Sequence, residues 1–330
     1  MKKLPLHFRP DGGFRILLMS DAHQRPYEDD RSIRAMDALI TRTGPDLVIL
    51  GGDNVGGCAE KAAFEETLTR LVQPMESRQI PWAHIFGNHD RTPVLSKAYQ
   101  ETVYESFPHC VSMRSPADVP GEANWFLPVC DMQDRPVFGI WGLDSHQDFT
   151  GPAAPLPGCP EGGRELLLPQ RLQSRSDDDF IRWEQIAWYV RLSGEHEAKY
   201  GGRIPSLMVL HIPLPEYREI LLNPVETDMR GECHEGVSSS EVNSGLFAAA
   251  LQRGDVCLIF SGHDHVNTFD GVYGGIRMGY DGSIGYHGYG LKDAAAPENV
   301  HRLRGGRIFD LRITDPWHPT TEMVLVGDAV

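Results

Sequence analysis

The stretch "CLIFSGHDH", residues 257–265, reads as a buried β-strand that ends in two histidines and an aspartate, where a strand would ordinarily turn into solvent. In an extended backbone the side chains of residues i and i+2 leave on the same side, so the spacing predicts His263 and His265 side by side at a strand tip. Two imidazoles begin a metal site without completing it.

The same form recurs along the chain. "RILLMSDAH" (15–23) ends in Asp21 and His23, and "LVILGGDN" (47–54) in Asp53 and Asn54. "HIFGNHD" (84–90) ends in Asn88, His89 and Asp90, and "LMVLH" (207–211) in His211. The apolar runs are short and rich in branched residues, which suits buried strands. Helical stripes lie between them: Ile33, Met36, Leu39 and Ile40 before "TGP"; Phe64, Leu68, Leu71 and Met75; Trp183, Ile186, Ala187 and Val190; and Val242, Leu246, Phe247 and Ala250 up to Gly254. Strand and helix alternate, so the class is α/β. The carboxyl ends of strands in such folds border the ligand crevice, which would gather these residues from distant parts of the chain. Asp21 and Asp53 are 32 residues apart and Asp53 and Asn88 are 35 apart, the length of a βαβ unit, so the first three strands are predicted neighbours.

At 330 residues, 41% hydrophobic and 23% charged, the chain can bury a large core. A single domain over 1–330 is expected, with surface insertions near 146–175 and 224–242 marked by "GPAAPLPGCPEGG" (151–163) and "ETDMRGECHEGVSSS" (226–240). In the second, Glu232, Cys233, His234 and Glu235 read as a solvated loop. The net charge of −15 argues against a nucleic acid partner, whose phosphates need lysine and arginine. No apolar run approaches a membrane span. The first residues lack the continuous hydrophobic segment of a signal peptide, so a cytoplasmic location is expected. Six cysteines without a CxxC pair suggest neither a zinc knuckle nor a disulfide framework.

Imidazole nitrogens with carboxylate oxygens suit Mn, Fe, Zn, Co or Ni, whereas calcium or magnesium would favour oxygen alone. One four-coordinate ion would leave much of this set unused. Two divalent ions about 3.5–4 Å apart can share one carboxylate and use the rest, with Asp53 the natural bridge. Taken singly, each motif has a bland reading, because Asp and Gly-Asn are common turn formers. Asp90 could orient His89 or cap the following helix. Asn54 could be a turn residue or a phosphate contact, and His84 reads as a hydrogen-bonded core histidine.

In order, DxH, GGDN, GNHD, a later strand-end histidine and GHDH resemble the five signature blocks of the calcineurin-like metallophosphoesterases, over residues 21–265. "LHIPLPEY", "EGVSSSEVNSGLF", "GHDHVN" and "GYHGYG" are similar to the purple acid phosphatase-like branch. This resemblance implies a four-layer α/β/β/α sandwich of two mixed sheets. It implies one ion on Asp21, His23 and His265, another on Asn88, His211 and His263, and Asp53 bridging. A hydroxide held between the metals would attack phosphorus while His89, with Asp90 beside it among the catalytic residues, assists the leaving group. The substrate would be a small-molecule phosphate mono- or diester or a phosphoprotein, with Tyr286 and His287 of "GYHGYG" (285–290) as pocket walls. One departure stands out: the metal-binding tyrosine of true purple acid phosphatases, three residues after the bridging aspartate, is here Gly56. A redox-active iron pair is therefore not expected. The alternatives are a non-catalytic metal-binding scaffold or, within the hydrolases, a nuclease, which the acidic balance disfavours.

Overall fold

The computed structural model describes residues 4–90, 94–147, 178–292 and 296–327. Its strands are β1 (Leu6–His7), β2 (Gly13–Met19), β3 (Leu47–Leu50), β4 (Trp82–His84), β5 (Trp125–Cys130), β6 (Pro136–Leu143), β7 (Ser206–Leu210), β8 (Val256–Ser261), β9 (Asp270–Tyr273), β10 (Ile276–Tyr280), β11 (Gly305–Arg312) and β12 (Thr320–Leu325). The helices are α1 (Arg31–Thr43), α2 (Lys61–Glu76), α3 (Lys97–Tyr104), α4 (Trp183–Tyr200), α5 (Tyr217–Leu222) and α6 (Leu246–Arg253).

The strands form two mixed sheets, one in the order β12-β11-β2-β3-β4 and the other β1-β5-β6-β7-β8-β10-β9. The first three strands that end in Asp, Asn or His, β2, β3 and β4, are parallel neighbours, as their spacing predicts. Beside β2 runs antiparallel β11, while β6, β7, β8 and β10 run parallel in the second sheet.

Helices cover both outer faces. On α1 the residues Ala35, Met36, Leu39 and Ile40 are buried, and the helix stops at Gly44, whose φ of 57° is a left-handed cap. On α2 the stripe of Phe64, Leu68, Leu71 and Met75 packs with α1 into the same core. The outer face of the larger sheet buries Trp141, Met208, Leu210 and Ile259 against Ile186 and Tyr189 of α4 and Leu246 and Ala250 of α6. Between the sheets, Phe260 of β8 meets Phe309 of β11 edge to face, with ring centroids 4.8 Å apart. Truncating either ring to alanine would cost about 3–5 kcal/mol. The four-layer α/β/β/α sandwich is thus the architecture observed.

Some elements depart from the sequence reading. β5 carries Pro128, which strand patterns disfavour, but the two residues of β1 cover only Val129 and Cys130, leaving Pro128 on an outer strand where proline is tolerated. Val242 lies outside α6, which begins only at Leu246. Most of the insertion expected near 146–175 lies outside the described residues. The one near 224–242 is tied to the sheet: Arg230 pairs with Asp270 at the start of β9, and Asn267 Oδ1 accepts the amides of His234 and Glu235. No helix among the described residues is long and apolar enough to cross a membrane.

Candidate metal centre

Five strand ends converge at one rim of the sandwich. The loops after β2, β3 and β4 bring Asp21, His23, Asp53 and Asn88 from one sheet, and those after β7 and β8 bring His211, His263 and His265 from the other. These loops are bent hard: Asp21, His23, Asp53 and His263 have φ of 57°, 44°, 53° and 76°. Non-glycine residues in the left-handed region carry a cost of order 1–3 kcal/mol each and cluster at functional sites. Glycines make the close approach possible. A Cβ on Gly87 would lie 2.1 Å from Asp53 Oδ1, and one on Gly52 would lie 2.6 Å from His211 Nδ1.

Asp53 Oδ2 sits 3.4 Å from His23 Nε2 and 3.4 Å from His211 Nε2, which is where a shared carboxylate belongs. His23 and His265 bring their Nε2 atoms within 3.1 Å, and Asp21 Oδ1 lies 3.2 Å from His265 Nε2. His211 and His263 form the other side, with ring centroids 5.3 Å apart. Asn88 is buried in the loop after β4.

The two histidines of "GHDH" do not lie side by side as their spacing predicts. β8 ends at Ser261, and the turn through His263 sends its ring to His211 while His265 faces His23. The i/i+2 rule holds only while the backbone stays extended.

The donors fit cations. Asp21 Oδ1 and His211 Nε2 are buried and make no hydrogen bond, where buried polar atoms ordinarily find partners. The pairs that would share an ion, Asp21 with His265 at 3.2 Å and Asp53 with His23 and with His211 at 3.4 Å, have the spacing of donors about 3.0–3.5 Å apart around one ion with bonds of ~2.1 Å. His211 Nδ1 donates to the Gly51 carbonyl at 2.8 Å, which points Nε2 inward as the atom that would bind an ion in place of its proton.

The electrostatics agree. Burial pulls His23 down to about 4 and keeps it neutral. Burial pulls on His211 too, but the carboxylates of Asp53 and Asp21 more than offset it and hold the imidazole up at about 10. Burial works to raise Asp21, yet His265 and His211 keep it below the usual carboxylate range. Two buried carboxylates thus draw positive charge to one point.

His89 stands exposed at the mouth, its ring 5.4 Å from that of His23 and its amide donating to Asp53 Oδ1 at 2.7 Å. A cavity of about 540 Å³ opens there, lined among others by His23, Arg25, Asp53, His89, His265 and Tyr289. Gly56 also lines it, and a Cβ there would meet nothing within 4 Å.

Three expectations need correction. Asp90 neither orients His89 nor caps a helix, since α3 is capped by Ser96. Its buried carboxylate accepts the amides of Gly87, Asp53 and Asn54 at 2.8 Å each and of Val55 at 3.2 Å, clamping two site loops together. Burial and then the Asp53 charge push it up to about 6 against the pull of those amides. Asn54 faces inward rather than towards a phosphate, donating from Nδ2 to the Ile85 carbonyl. Tyr286 packs on His301 away from the cavity, while His287 does line it. Spacing also passed over Asp178, whose Oδ1 lies 3.1 Å from His263 Nε2, as well as Arg25 and Tyr289. Arg25 stands two residues past His23, a proximity that could have flagged it.

This architecture and rim of donors define a class. A family model described as calcineurin-like phosphoesterase matches residues 14–267, and the chain belongs to that family. More particularly, it is 30% identical over 313 residues to "Probable inactive purple acid phosphatase 14" of Arabidopsis thaliana, covering 86% of this chain and 74% of that protein. It is 26% identical over 285 residues to "Phosphatase DCR2" of Saccharomyces cerevisiae, covering 78% of this chain and 45% of that one. A crystal structure of a dimetal phosphatase from Danio rerio shares the fold, with a TM-score of 0.54 at 12% identity, covering 91% of this chain and 92% of that one.

Proposed function

We propose that the protein is a dinuclear metal-dependent phosphoesterase that hydrolyses phosphate mono- or diesters. Asp21, His23 and His265 would hold one divalent ion, Asn88, His211 and His263 the other, with Asp53 between them. The observation that carries this reading is Asp53 Oδ2, equidistant at 3.4 Å from a histidine of each group. Bound there, two divalent ions supply Lewis acidity to the phosphoryl oxygens and lower the pKa of water.

The chain's own residues do the rest. Asp53 accepts the His89 amide and so fixes where that imidazole stands. His89, exposed beside the cavity, is placed to give a proton to a departing alkoxide. Arg25 brings a guanidinium to the same wall, suited to a phosphoryl oxygen. Gly56 offers no phenolate, which favours Mn, Zn, Co, Ni or ferrous iron over a ferric pair.

The second reading is a metal-binding scaffold without turnover, favoured by relatives named probable inactive. Metal analysis followed by aryl phosphate mono- and diesters assayed with Mn, Fe, Zn, Co and Ni separates the two. Two bound ions with turnover support the phosphoesterase; two ions with no turnover under any metal overturn it in favour of the scaffold.

A further inference from the structure

The cavity wall beside His265 is Tyr289, and it holds this histidine in three ways. Its ring stacks on the imidazole with centroids 4.1 Å apart and planes 4° from parallel. Its hydroxyl accepts the His265 backbone amide at 3.2 Å. Its carbonyl faces His265 Nδ1 at 3.2 Å. A carbonyl can only accept, so the proton sits on Nδ1 and the Nε2 lone pair turns towards Asp21 and His23.

Tyr289 is itself anchored from both ends. The hydroxyl donates to the Glu235 carboxylate, 2.9 Å from each oxygen, and Glu235 also accepts the Val266 amide at 3.0 Å. At the other end the buried Arg304 donates to the Tyr289 carbonyl at 2.6 Å and to Ser283 Oγ at 2.8 Å. Between them Gly288 lets the loop press on the ring, since a Cβ there would lie 2.6 Å from His265 Cε1. The segment around Glu235, which reads in sequence as a solvated loop, is therefore a tether to the centre.

We propose that Tyr289 is the positioning residue for His265: its backbone carbonyl sets the tautomer, and its ring and hydroxyl fix the orientation of the imidazole and with it the affinity of the ion position formed by Asp21, His23 and His265. This rests on the dinuclear reading of the centre. The other ion position has its own anchor, the Gly51 carbonyl on His211, so the effect of Tyr289 is confined to one ion. The tyrosine is 45% exposed and also lines a second cavity of about 360 Å³.

The test is manganese titration of the full chain after chelation, read as stoichiometry and affinity, with unfolding of the metal-free protein as control. The parent takes up two ions. Tyr289→Ala keeps the backbone carbonyl on Nδ1 and removes the stacked ring and the hydroxyl on the His265 amide, so one ion binds as in the parent and the other weakens by about 10-fold, the lower end of what losing support behind a ligand histidine costs. Tyr289→Phe keeps the ring and loses the hydroxyl, so it falls between. Tyr286→Ala, in the same loop but packed on His301, binds both ions as the parent does. Two ions at parental affinity in Tyr289→Ala overturn the proposal alone, as does an equal loss in Tyr286→Ala. Should Tyr289→Ala fail to fold, parental affinity for both ions in Tyr289→Phe overturns it. A parent that takes up fewer than two ions overturns the dinuclear reading and the proposal with it.

Discussion

Replacing Asp90 by asparagine should unfasten two site loops at once. Each carboxylate oxygen takes two amides: Oδ2 those of Asp53 and Gly87, Oδ1 those of Asn54 and Val55. An asparagine of the same shape offers one oxygen and one NH₂, so whichever way it flips, two buried N–H groups face another donor. At about 1–3 kcal/mol for each stranded donor, the loss is about 2–6 kcal/mol. Relief of repulsion with Asp53 opposes this, but a carboxyl at about 6 still favours its charged form at pH 7 by roughly 1.4 kcal/mol. Ions on Asp53 would cancel that repulsion, so the loss should be larger in metal-loaded protein. Urea unfolding of loaded and chelated protein, with ion uptake measured alongside, provides the assay. An Asp90→Asn protein with the parental urea midpoint and two ions at parental affinity would refute the clamp.

Other outcomes follow from the same geometry. His89→Ala should retain both ions and lose about 10²–10⁴-fold in turnover on esters with poor leaving groups, and undiminished rates would remove His89 from the reaction. Gly87→Ala puts a methyl against Asp53 Oδ1 and should abolish uptake of two ions while costing about 1–3 kcal/mol of stability, measurable by metal analysis and denaturation. His84, buried against Glu101 at 3.0 Å and Ser112 at 2.7 Å, is held up at about 9: burial opposes this, and the Glu101 carboxylate outweighs it. A folded value above the unfolded 6.5 means the stabilisation is complete below about pH 6.5 and lost as pH rises through about 9, on the order of 3 kcal/mol in all. Unfolding free energies of chelated protein between pH 6 and 10 should show this decline, and Glu101→Gln should flatten it.

The strand tips were legible because apolar runs capped by Asp, Asn or His are rare as an ordered set, and β2, β3, β4, β7 and β8 carry them. β1, with two residues, and β5, with Pro128, left too little pattern to read. Directions at the tips were less legible than positions. His263 leaves the extended backbone at a φ of 76°, so periodicity no longer says where its ring goes. Asp90 looked catalytic because it stands next to His89, but four backbone amides from residues 53–55 and 87 claim it, a relation visible only once the loops are folded. In "GYHGYG" the motif drew notice to Tyr286, whereas the glycines on either side of Tyr289 let that residue, and not Tyr286, lie against the imidazole.

The donors at the rim come from both sheets, four from one and three from the other. Asp21, Asp53 and Asn88 issue from the five-stranded sheet, and His211, His263 and His265 from the seven-stranded one, with His23 joining the first. Cations held there act as rivets through a seam, so their binding free energy adds to the cohesion of both halves, about 4.1 kcal/mol at a free concentration a thousand times the dissociation constant. Chelation should then lower the melting temperature of the whole chain in one transition, where a merely local loop site would leave the main transition unmoved.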